Sequence, residues 1–349
     1  MRSIRLYGPR DLRPDDIPDP GPPGEGEVLL RVRSVGICGS DLHTYCDGRI
    51  GETDVKSPLV LGHEFSGVVE RVGPGALDGG GEPLGEGMRV AVDPAQPCTR
   101  CEMCQRGHPN LCVRLHFCGL FPDDGALRER MIVPSRTCFP IPEPIDDDAG
   151  ALLEPLGIAI HAGNLSRLKV EDAVSVHGTG PIGLLIVQVA KLAGAHPIFA
   201  VEKLPWRLAL AERFGAIPID PAAGDPAVQI QKATRGRGVD VAFESGWAED
   251  LVQESAETAR PGGRVILVGI PADDRCSLKH STARRKGLTF LFSRRMKHTY
   301  PWSIELVEKA RVDVHSLISH RFPLEKAPEA FAINANYTQN VVKVMIHLG

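Results

Sequence analysis

The pattern of hydrophobic and polar positions changes near residue 160. Before that point, short β-like runs such as FSGVVERV at 65–72 alternate with Gly- and Pro-containing turns, which is typical of a β-rich lobe. From about residue 160 to 293, apolar strands alternate with helix-length segments, and this order predicts a doubly wound parallel sheet. After Ser293 the sheet pattern stops, and we expect the chain to return to the first lobe. The pattern therefore predicts an α/β protein.

A glycine-rich turn lies at the start of the predicted sheet. The strand 174–177 is followed by a G-x-G-x-x-G match, an apolar helix over 184–193 and a second strand over 198–201. A turn placed in this way, with an acid about 20 residues on, is typical of dinucleotide binding, because glycines let the backbone approach a pyrophosphate. A glycine-rich turn of another α/β fold is the alternative. The predicted cofactor-binding residues are Gly178, Gly180, Pro181, Ile182, Gly183, Glu202, Lys203 and Arg207.

The second of these strands ends at Glu202, whose carboxylate can accept hydrogen bonds from a ribose and would repel a 2′-phosphate. We therefore expect NAD. The nearby Lys203 and Arg207 keep NADP as an alternative.

Length and composition narrow the class of protein. The 349 residues suggest two domains, and 42% hydrophobic with 24% charged residues is an ordinary globular composition. The net charge of -4 argues against a nucleic-acid binder. No run of 18 apolar residues predicts a membrane span, and the first residues lack the apolar core of a signal peptide. With nine cysteines and no secretory signal, we expect a reducing compartment, the cytoplasm.

Four of those cysteines lie within fifteen residues, at Cys98, Cys101, Cys104 and Cys112. Four thiolates at such spacing are typical of a closed, tetrahedral structural zinc site. An iron–sulfur cluster is the main competitor, but its bacterial spacing continues with a cysteine four residues after the third, and here the fourth follows after eight. The third possibility is a group of thiols without metal.

A second, mixed constellation contains Cys38, His63, Glu64 and Glu154. Three protein ligands of this kind leave zinc an open position for water or substrate. Each residue has an ordinary alternative: a buried thiol for Cys38, a satisfied polar residue for His63, and a helix cap for Glu154. The combination with a dinucleotide turn favours a catalytic metal site.

The order of these motifs resembles the zinc-dependent medium-chain alcohol dehydrogenases, over essentially the whole chain. Within that family the sequence is most similar to the polyol (sorbitol/xylitol) and threonine dehydrogenase branch. Glu64 directly follows His63, Glu154 stands where many alcohol dehydrogenases have a second cysteine ligand, and the tail from Thr299 to Phe331 resembles the same branch.

The resemblance implies a GroES-like catalytic domain over 1–155 and 294–349, with a structural zinc lobe at about 94–114, and a Rossmann domain over 156–293. It implies two zinc ions per chain. The catalytic zinc would be held by Cys38, His63 and Glu64, with Glu154 as a fourth ligand or as the holder of a water. Ser40 and His43 would relay the proton of the alcohol, and Arg295 would contact the substrate. It also implies a homo-oligomer, a dimer or tetramer.

The sequence departs from that branch at two places. Thr44 replaces a tyrosine of the sorbitol dehydrogenases, and the stretch from Arg275 to Ser303 carries eight Lys or Arg residues and no Asp or Glu. We therefore expect NAD-dependent oxidation of a secondary alcohol, most simply a polyol, to a ketone. Two alternatives stand: an amino acid, sugar acid or sugar phosphate as substrate, and a non-catalytic zinc-bearing binding protein. The basic run can be a solvated or subunit-facing surface, or it can meet an anionic substrate.

Overall fold

The computed structural model describes residues 1–349, and its contacts divide the chain into two compact units. The first comprises Met1–Glu154 and Tyr300–Gly349, and the second Pro155–Thr299. The return to the first unit thus comes at Tyr300, six residues later than the predicted 294. The reason is that residues 294–299 directly follow the last strand of the parallel sheet and stay with it.

The secondary structure follows the chain in three parts. In the first unit it comprises β1 (Arg2–Gly8), β2 (Asp11–Asp16), β3 (Glu27–Gly36), α1 (Gly39–Asp47), β4 (Arg49–Ile50), β5 (Thr53–Asp54), β6 (Leu59–Val60), β7 (Glu64–Val72), β8 (Arg89–Val92), β9 (Ala95–Gln96), α2 (Glu102–Gln105), β10 (His116–Phe117), β11 (Arg130–Pro134), β12 (Cys138–Pro140) and α3 (Asp147–Ala151). Next come α4 (Leu153–Ser166), β13 (Val174–His177), α5 (Pro181–Leu192), β14 (Ile198–Val201), α6 (Pro205–Arg213), β15 (Ile217–Ile219), α7 (Pro226–Ala233), β16 (Val239–Glu244), α8 (Leu251–Thr258), β17 (Ala259–Leu267), α9 (His280–Lys286) and β18 (Thr289–Phe292). The C-terminal part of the first unit, Tyr300–Gly349, contains α10 (Tyr300–Glu308), β19 (Ile318–Pro323), α11 (Ala327–Ala335) and β20 (Lys343–His347).

A seven-stranded sheet forms the core of the first unit. Its strand order is β12-β8-β7-β3-β20-β19, with β11 paired to β3. The register of β3 and β7 places Gly36 opposite Glu64. The end of β3 leads into Cys38, and His63 immediately precedes β7, so this pairing brings two distant sequence motifs together.

The second unit is built on a six-stranded parallel sheet of order β15-β14-β13-β16-β17-β18. Its central strands β13, β14 and β16 are buried at every position, which is typical of parallel strands that are covered on both faces. The order reverses direction between β13 and β16, and ligands of such sheets bind beyond the carboxyl ends of the strands at this point. The glycine turn directly follows β13.

Strands β13 and β14 have the bounds that the sequence predicted, whereas the bounds of other elements differ from the prediction. Helix α5 begins at Pro181, three residues before the predicted 184, because proline fits the first position of a helix. Strand β17 begins at Ala259 and continues through the Pro-Gly-Gly segment 261–263, although this composition is more typical of a turn. Strand β15 was not predicted, since Ile217-Pro218-Ile219 is short and contains a proline, which is tolerated at this sheet edge.

Candidate metal centres and nucleotide site

Three of the four residues predicted for the mixed site come together. One ligand atom each from Cys38, His63 and Glu64 lies within 4.8 Å of the others. Cys38 precedes α1, and His63 and Glu64 stand where the chain enters β7. The histidine and the glutamate are buried, whereas Cys38 is partly exposed. A thiolate, an imidazole and a carboxylate at this spacing are a donor set that suits zinc.

Asp41 fixes the orientation of the His63 ring. Its Oδ1 lies 3.2 Å from His63 Nδ1, and its Oδ2 accepts a hydrogen bond from the Cys38 amide at 3.0 Å. Burial would lower the pKa of His63, but the Asp41 carboxylate and the Cys38 sulfur outweigh it and hold the pKa well above its usual value. With Nδ1 engaged by Asp41, Nε2 is the nitrogen that faces a metal. Sequence reasoning gave Asp41 no role, although its position three residues after Cys38 is the N3 position of α1.

The two predicted proton-relay residues lie on α1. Ser40 Oγ is 3.4 Å from His63 Nε2, so this hydroxyl is next to the proposed ligand atom. His43 lies one turn further and is buried. Thr44, which replaces the tyrosine of related sequences, donates its hydroxyl to the Ser40 carbonyl at 3.2 Å and therefore serves the helix itself.

Glu154 lies beside this group without being part of the three-residue set. It is buried at the start of α4. Burial raises its pKa to about 8, although the charge of His63 opposes this change. The neighbouring Glu64 raises the pKa further. A carboxyl in this environment can hold or accept a proton near neutral pH.

Lys343 pairs with Glu64 and was missed by sequence reasoning. Its ammonium contacts Glu64 Oε2 and donates to the Ile37 carbonyl at 2.9 Å. Both side chains of the ion pair are buried. The lysine lies on β20, and nothing local in the sequence VVKVMIHL distinguishes it from a solvent-facing strand residue.

The four predicted cysteine ligands also converge, within 4.8 Å of one another. The Sγ atoms of Cys101 and Cys104 are 3.5 Å apart, and those of Cys101 and Cys112 are 3.8 Å apart. A tetrahedron with Zn–S bonds of about 2.3 Å has S···S edges of about 3.8 Å. The backbone amide of Arg100 lowers the pKa of the Cys98 thiol to about 6, whereas burial raises that of Cys104 to about 12. The spacing fits a four-thiolate zinc site, in which the charge of the cation would offset the electrostatic repulsion between the thiolates.

The turn between β13 and α5 has the shape that a pyrophosphate site needs. Gly178 adopts a φ of 85°, which favours glycine. A side chain at Gly183 would overlap the Gly178 carbonyl and lie 2.9 Å from Ser245 Oγ, so the helix start packs tightly on the turn. At the amino end of α5, Gly180 is the N-cap and Pro181 and Ile182 lie in the first turn, and the free backbone amides of such a helix start can bind an anionic group.

Glu202 holds this turn in place. Its Oε2 accepts from the Thr179 amide at 2.9 Å, and its Oε1 accepts from the Lys203 amide at 2.7 Å. Arg207 is buried, and its Nη1 would be 3.6 Å from a Cβ placed on Gly180, whereas the Lys203 side chain is exposed. Both predicted cofactor-selecting groups, an acid and an arginine, thus lie at the same turn.

The basic run is not one uniform surface. The Lys286 ammonium donates to the carbonyls of Ala256, Glu257 and Ala259, so this lysine caps the end of α8. Arg284 and Arg285 are exposed. Arg295 has a positive φ of 56°, a conformation that costs a non-glycine residue energy and that is frequent at functional sites.

Comparisons with known proteins agree with this geometry. Residues 24–143 match the model of the alcohol dehydrogenase GroES-like domain, and residues 181–309 match that of the zinc-binding dehydrogenases. Sorbitol dehydrogenase of Homo sapiens is 37% identical over 94% of this chain and 91% of its own length. The chain belongs to the zinc-binding alcohol dehydrogenase family.

Two solved structures are also similar to this protein. The 2R,3R-butanediol dehydrogenase from Bacillus subtilis has a TM-score of 0.87 and 30% identity, covering 99% of each chain. The galactitol-1-phosphate dehydrogenase from Escherichia coli has a TM-score of 0.89 and 28% identity, covering 99% of this chain and 100% of its own.

The predicted family, fold class and enzyme class are confirmed. The protein is an oxidoreductase of small-molecule alcohols, and its cofactors are zinc and a nicotinamide dinucleotide. Its helices are all too short or too polar to cross a bilayer.

Proposed function

We propose that this dehydrogenase oxidises a secondary alcohol, most simply a polyol, to a ketone with NAD as the hydride acceptor. The observation that carries the proposal is the convergence of Cys38, His63 and Glu64, the donor set of an open zinc site, in a chain that also has a dinucleotide turn. The 37% identity to a sorbitol dehydrogenase supports a polyol as substrate.

In this proposal the first unit prepares the alcohol for oxidation. Cys38, His63 and Glu64 hold the catalytic zinc, which when bound supplies Lewis acidity that lowers the pKa of a hydroxyl. The Ser40 hydroxyl, 3.4 Å from His63 Nε2, accepts the proton of the alcohol as it releases its own, and the released proton leaves by way of His43. Glu154 supplies a buried carboxyl of raised pKa that holds a water or a substrate hydroxyl.

The second unit binds the nucleotide. The amino end of α5 receives the pyrophosphate, and Glu202 at the end of β14 selects the unphosphorylated ribose of NAD. The cysteine set at Cys98, Cys101, Cys104 and Cys112 holds a second zinc. Four thiolates leave that ion no position for a substrate, so its role is to fold the lobe.

The substrate class can be tested directly. Purified protein is offered a panel of polyols, vicinal diols, threonine, aldonates and sugar phosphates with NAD, and NADH absorbance is followed. The proposal expects the highest kcat/KM for a neutral polyol or diol. No turnover of any alcohol by a protein that carries both metals would contradict it and would favour a binding protein.

An anionic substrate is the second candidate. The strained backbone of Arg295, within a run of cations, favours it, and the similarity to a galactitol-1-phosphate dehydrogenase adds support. Arg295→Ala should then raise KM for the anionic alcohol at least about tenfold while changing KM for a neutral polyol little, with Arg284→Ala as an exposed control. Equal effects on both substrates would contradict this second candidate.

We also infer that the protein is a homodimer or homotetramer and acts in the cytoplasm. Strand β18 is an edge of the parallel sheet, where unpaired backbone groups can pair with a second copy of the chain, and its Phe292 is 72% exposed. Light scattering after size exclusion would measure the mass, and a monomer at micromolar concentration would contradict the inference.

A further inference from the structure

A buried ion pair lies directly behind the proposed catalytic metal site. The side chains of Lys343 and Glu64 are each 1% exposed, and the ammonium contacts Glu64 Oε2. The same ammonium donates to the Ile37 carbonyl at 2.9 Å, and Ile37 directly precedes Cys38. The Lys343 ammonium therefore contacts both segments that carry proposed metal ligands. Lys343 and Ile37 are 306 residues apart along the chain.

The strand pairing makes this contact possible. β20 runs antiparallel to β3, with Met345 opposite Gly36, and the Ile37 amide donates to the Val344 carbonyl at 3.0 Å. Gly36 leaves room for the pair: a Cβ there would overlap Glu64 Oε2 and would lie 3.0 Å from Lys343 Cε. The backbone thus approaches the ion pair as closely as only glycine allows.

A buried ion pair of this kind is weak evidence for a role in fold stability. Taking two charges out of water costs several kcal/mol per ion, and a well-packed hydrophobic pair of similar volume is often as stable or more stable. A functional reason for the pair lies in the geometry of the carboxylate. Since Lys343 contacts Oε2, it restrains the rotation of the carboxylate plane and thereby the placement of the Glu64 ligand oxygen relative to Cys38 and His63.

We propose that Lys343 is a positioning residue for the catalytic metal: it acts through Glu64 and sets how tightly the first unit holds the ion. The inference rests on the proposed zinc site at Cys38, His63 and Glu64. Partners that orient metal ligands typically contribute 10- to 100-fold in metal affinity. The last strand of the chain is thus part of the metal site, although it supplies no ligand atom.

The alternative is a pair that merely ties β20 to the sheet, and a double-mutant cycle separates the two roles. We compare wild type, Lys343→Met, Glu64→Gln and the double variant. Methionine keeps the length and volume of the lysine stem, and the double variant leaves no unpaired buried charge. Val344→Ala, at a fully buried neighbour on the same strand, is the control for lost packing.

Zinc and cobalt(II) are titrated against graded concentrations of a chelator, and metal per chain is measured by mass spectrometry. The four-cysteine site serves as an internal reference, because it should keep its ion in all five proteins. We expect Lys343→Met to lower the affinity of the mixed site by about 10- to 100-fold in the Glu64 background and by less than about twofold in the Glu64→Gln background. Val344→Ala should leave the affinity unchanged.

Three results would overturn the inference: an unchanged or higher affinity in Lys343→Met, an equal loss in both Glu64 backgrounds, or the same loss in Val344→Ala. If Lys343→Met does not fold, Lys343→Gln takes its place in the cycle, since its amide can still donate to the Ile37 carbonyl, and the same comparison between backgrounds decides. A wild type that binds metal only at the four cysteines would instead contradict the proposed function. The two failures are therefore distinguishable.

Discussion

The Glu202 carboxylate accepts a hydrogen bond from the amide of Thr179, at 2.9 Å. The residue proposed to select the ribose therefore also shapes the turn that receives the pyrophosphate. The Glu202 side chain thus has two proposed roles, ribose selection and support of the turn, and its removal should affect both.

We predict that wild type prefers NAD over NADP by about tenfold or more in kcat/KM, each tenfold step being worth about 1.4 kcal/mol. Glu202→Ala should reduce this preference, because it removes both the attraction for a ribose hydroxyl and the repulsion of a 2′-phosphate. It should also raise KM for both cofactors, since the Thr179 amide loses its acceptor. Kinetics with both cofactors measure this, with the exposed Glu212→Ala as control. A wild type that prefers NADP would mean that Arg207 and Lys203 line the ribose site instead.

The four-cysteine site should act through stability. Cys101→Ser leaves three thiolates for an ion that prefers four, and structural zinc contributes on the order of 10 kcal/mol to the folding of small zinc domains. We expect a lower melting temperature and one zinc fewer per chain, while the soluble fraction still turns over. Cys276→Ser, at an exposed cysteine outside the cluster, is the control. An equally stable but inactive Cys101→Ser protein would show that this site is catalytic.

A pH-dependent stability follows from Glu244, at the end of β16. Its Oε1 accepts from the Gly246 amide at 2.8 Å, and burial raises its pKa to about 7, above the 4.5 of an exposed glutamate. The folded state therefore keeps a proton that the unfolded state has already lost between these two values. Stability falls as pH rises through this window, by up to about 3 kcal/mol.

Glu244→Gln should abolish this contribution, because an amide can accept the same hydrogen bond without a charge. Urea unfolding from about pH 5 to about pH 8 should show the variant gaining stability over wild type as the pH rises. The exposed Glu249→Gln should follow wild type throughout. A constant difference between wild type and Glu244→Gln across this range would exclude a raised pKa.

The sequence signal is strongest where it is local. The four cysteines lie within fifteen residues and converge in the structure. The dinucleotide turn directly follows β13, and both β13 and β14 are buried strands whose bounds agree with the prediction. The mixed site draws on residues far apart in the chain, and its ligands were recognised through resemblance to a family. Their convergence depends on the register of β3 and β7.

The residues that support those ligands were not predicted. Lys343 reaches Glu64 only because β20 pairs with β3 across some 300 residues of sequence. Such pairing depends on the whole sheet, and hydrophobic periodicity does not encode which strands become neighbours. Asp41 had a weak local signal as the N3 residue of α1, but its contact with His63 depends equally on tertiary structure.

The metal content of His63→Ala, measured together with its turnover, tests the central claim most directly. Wild type should carry two zinc ions per chain, and His63→Ala should carry one, held by the four cysteines. The variant should lose turnover and still bind NADH, as followed by NADH fluorescence, because the nucleotide turn does not depend on this histidine. The exposed His280→Ala should match wild type in both measurements. A His63→Ala protein that keeps two zinc ions, or that turns over at the wild-type rate, would contradict a catalytic zinc at Cys38, His63 and Glu64.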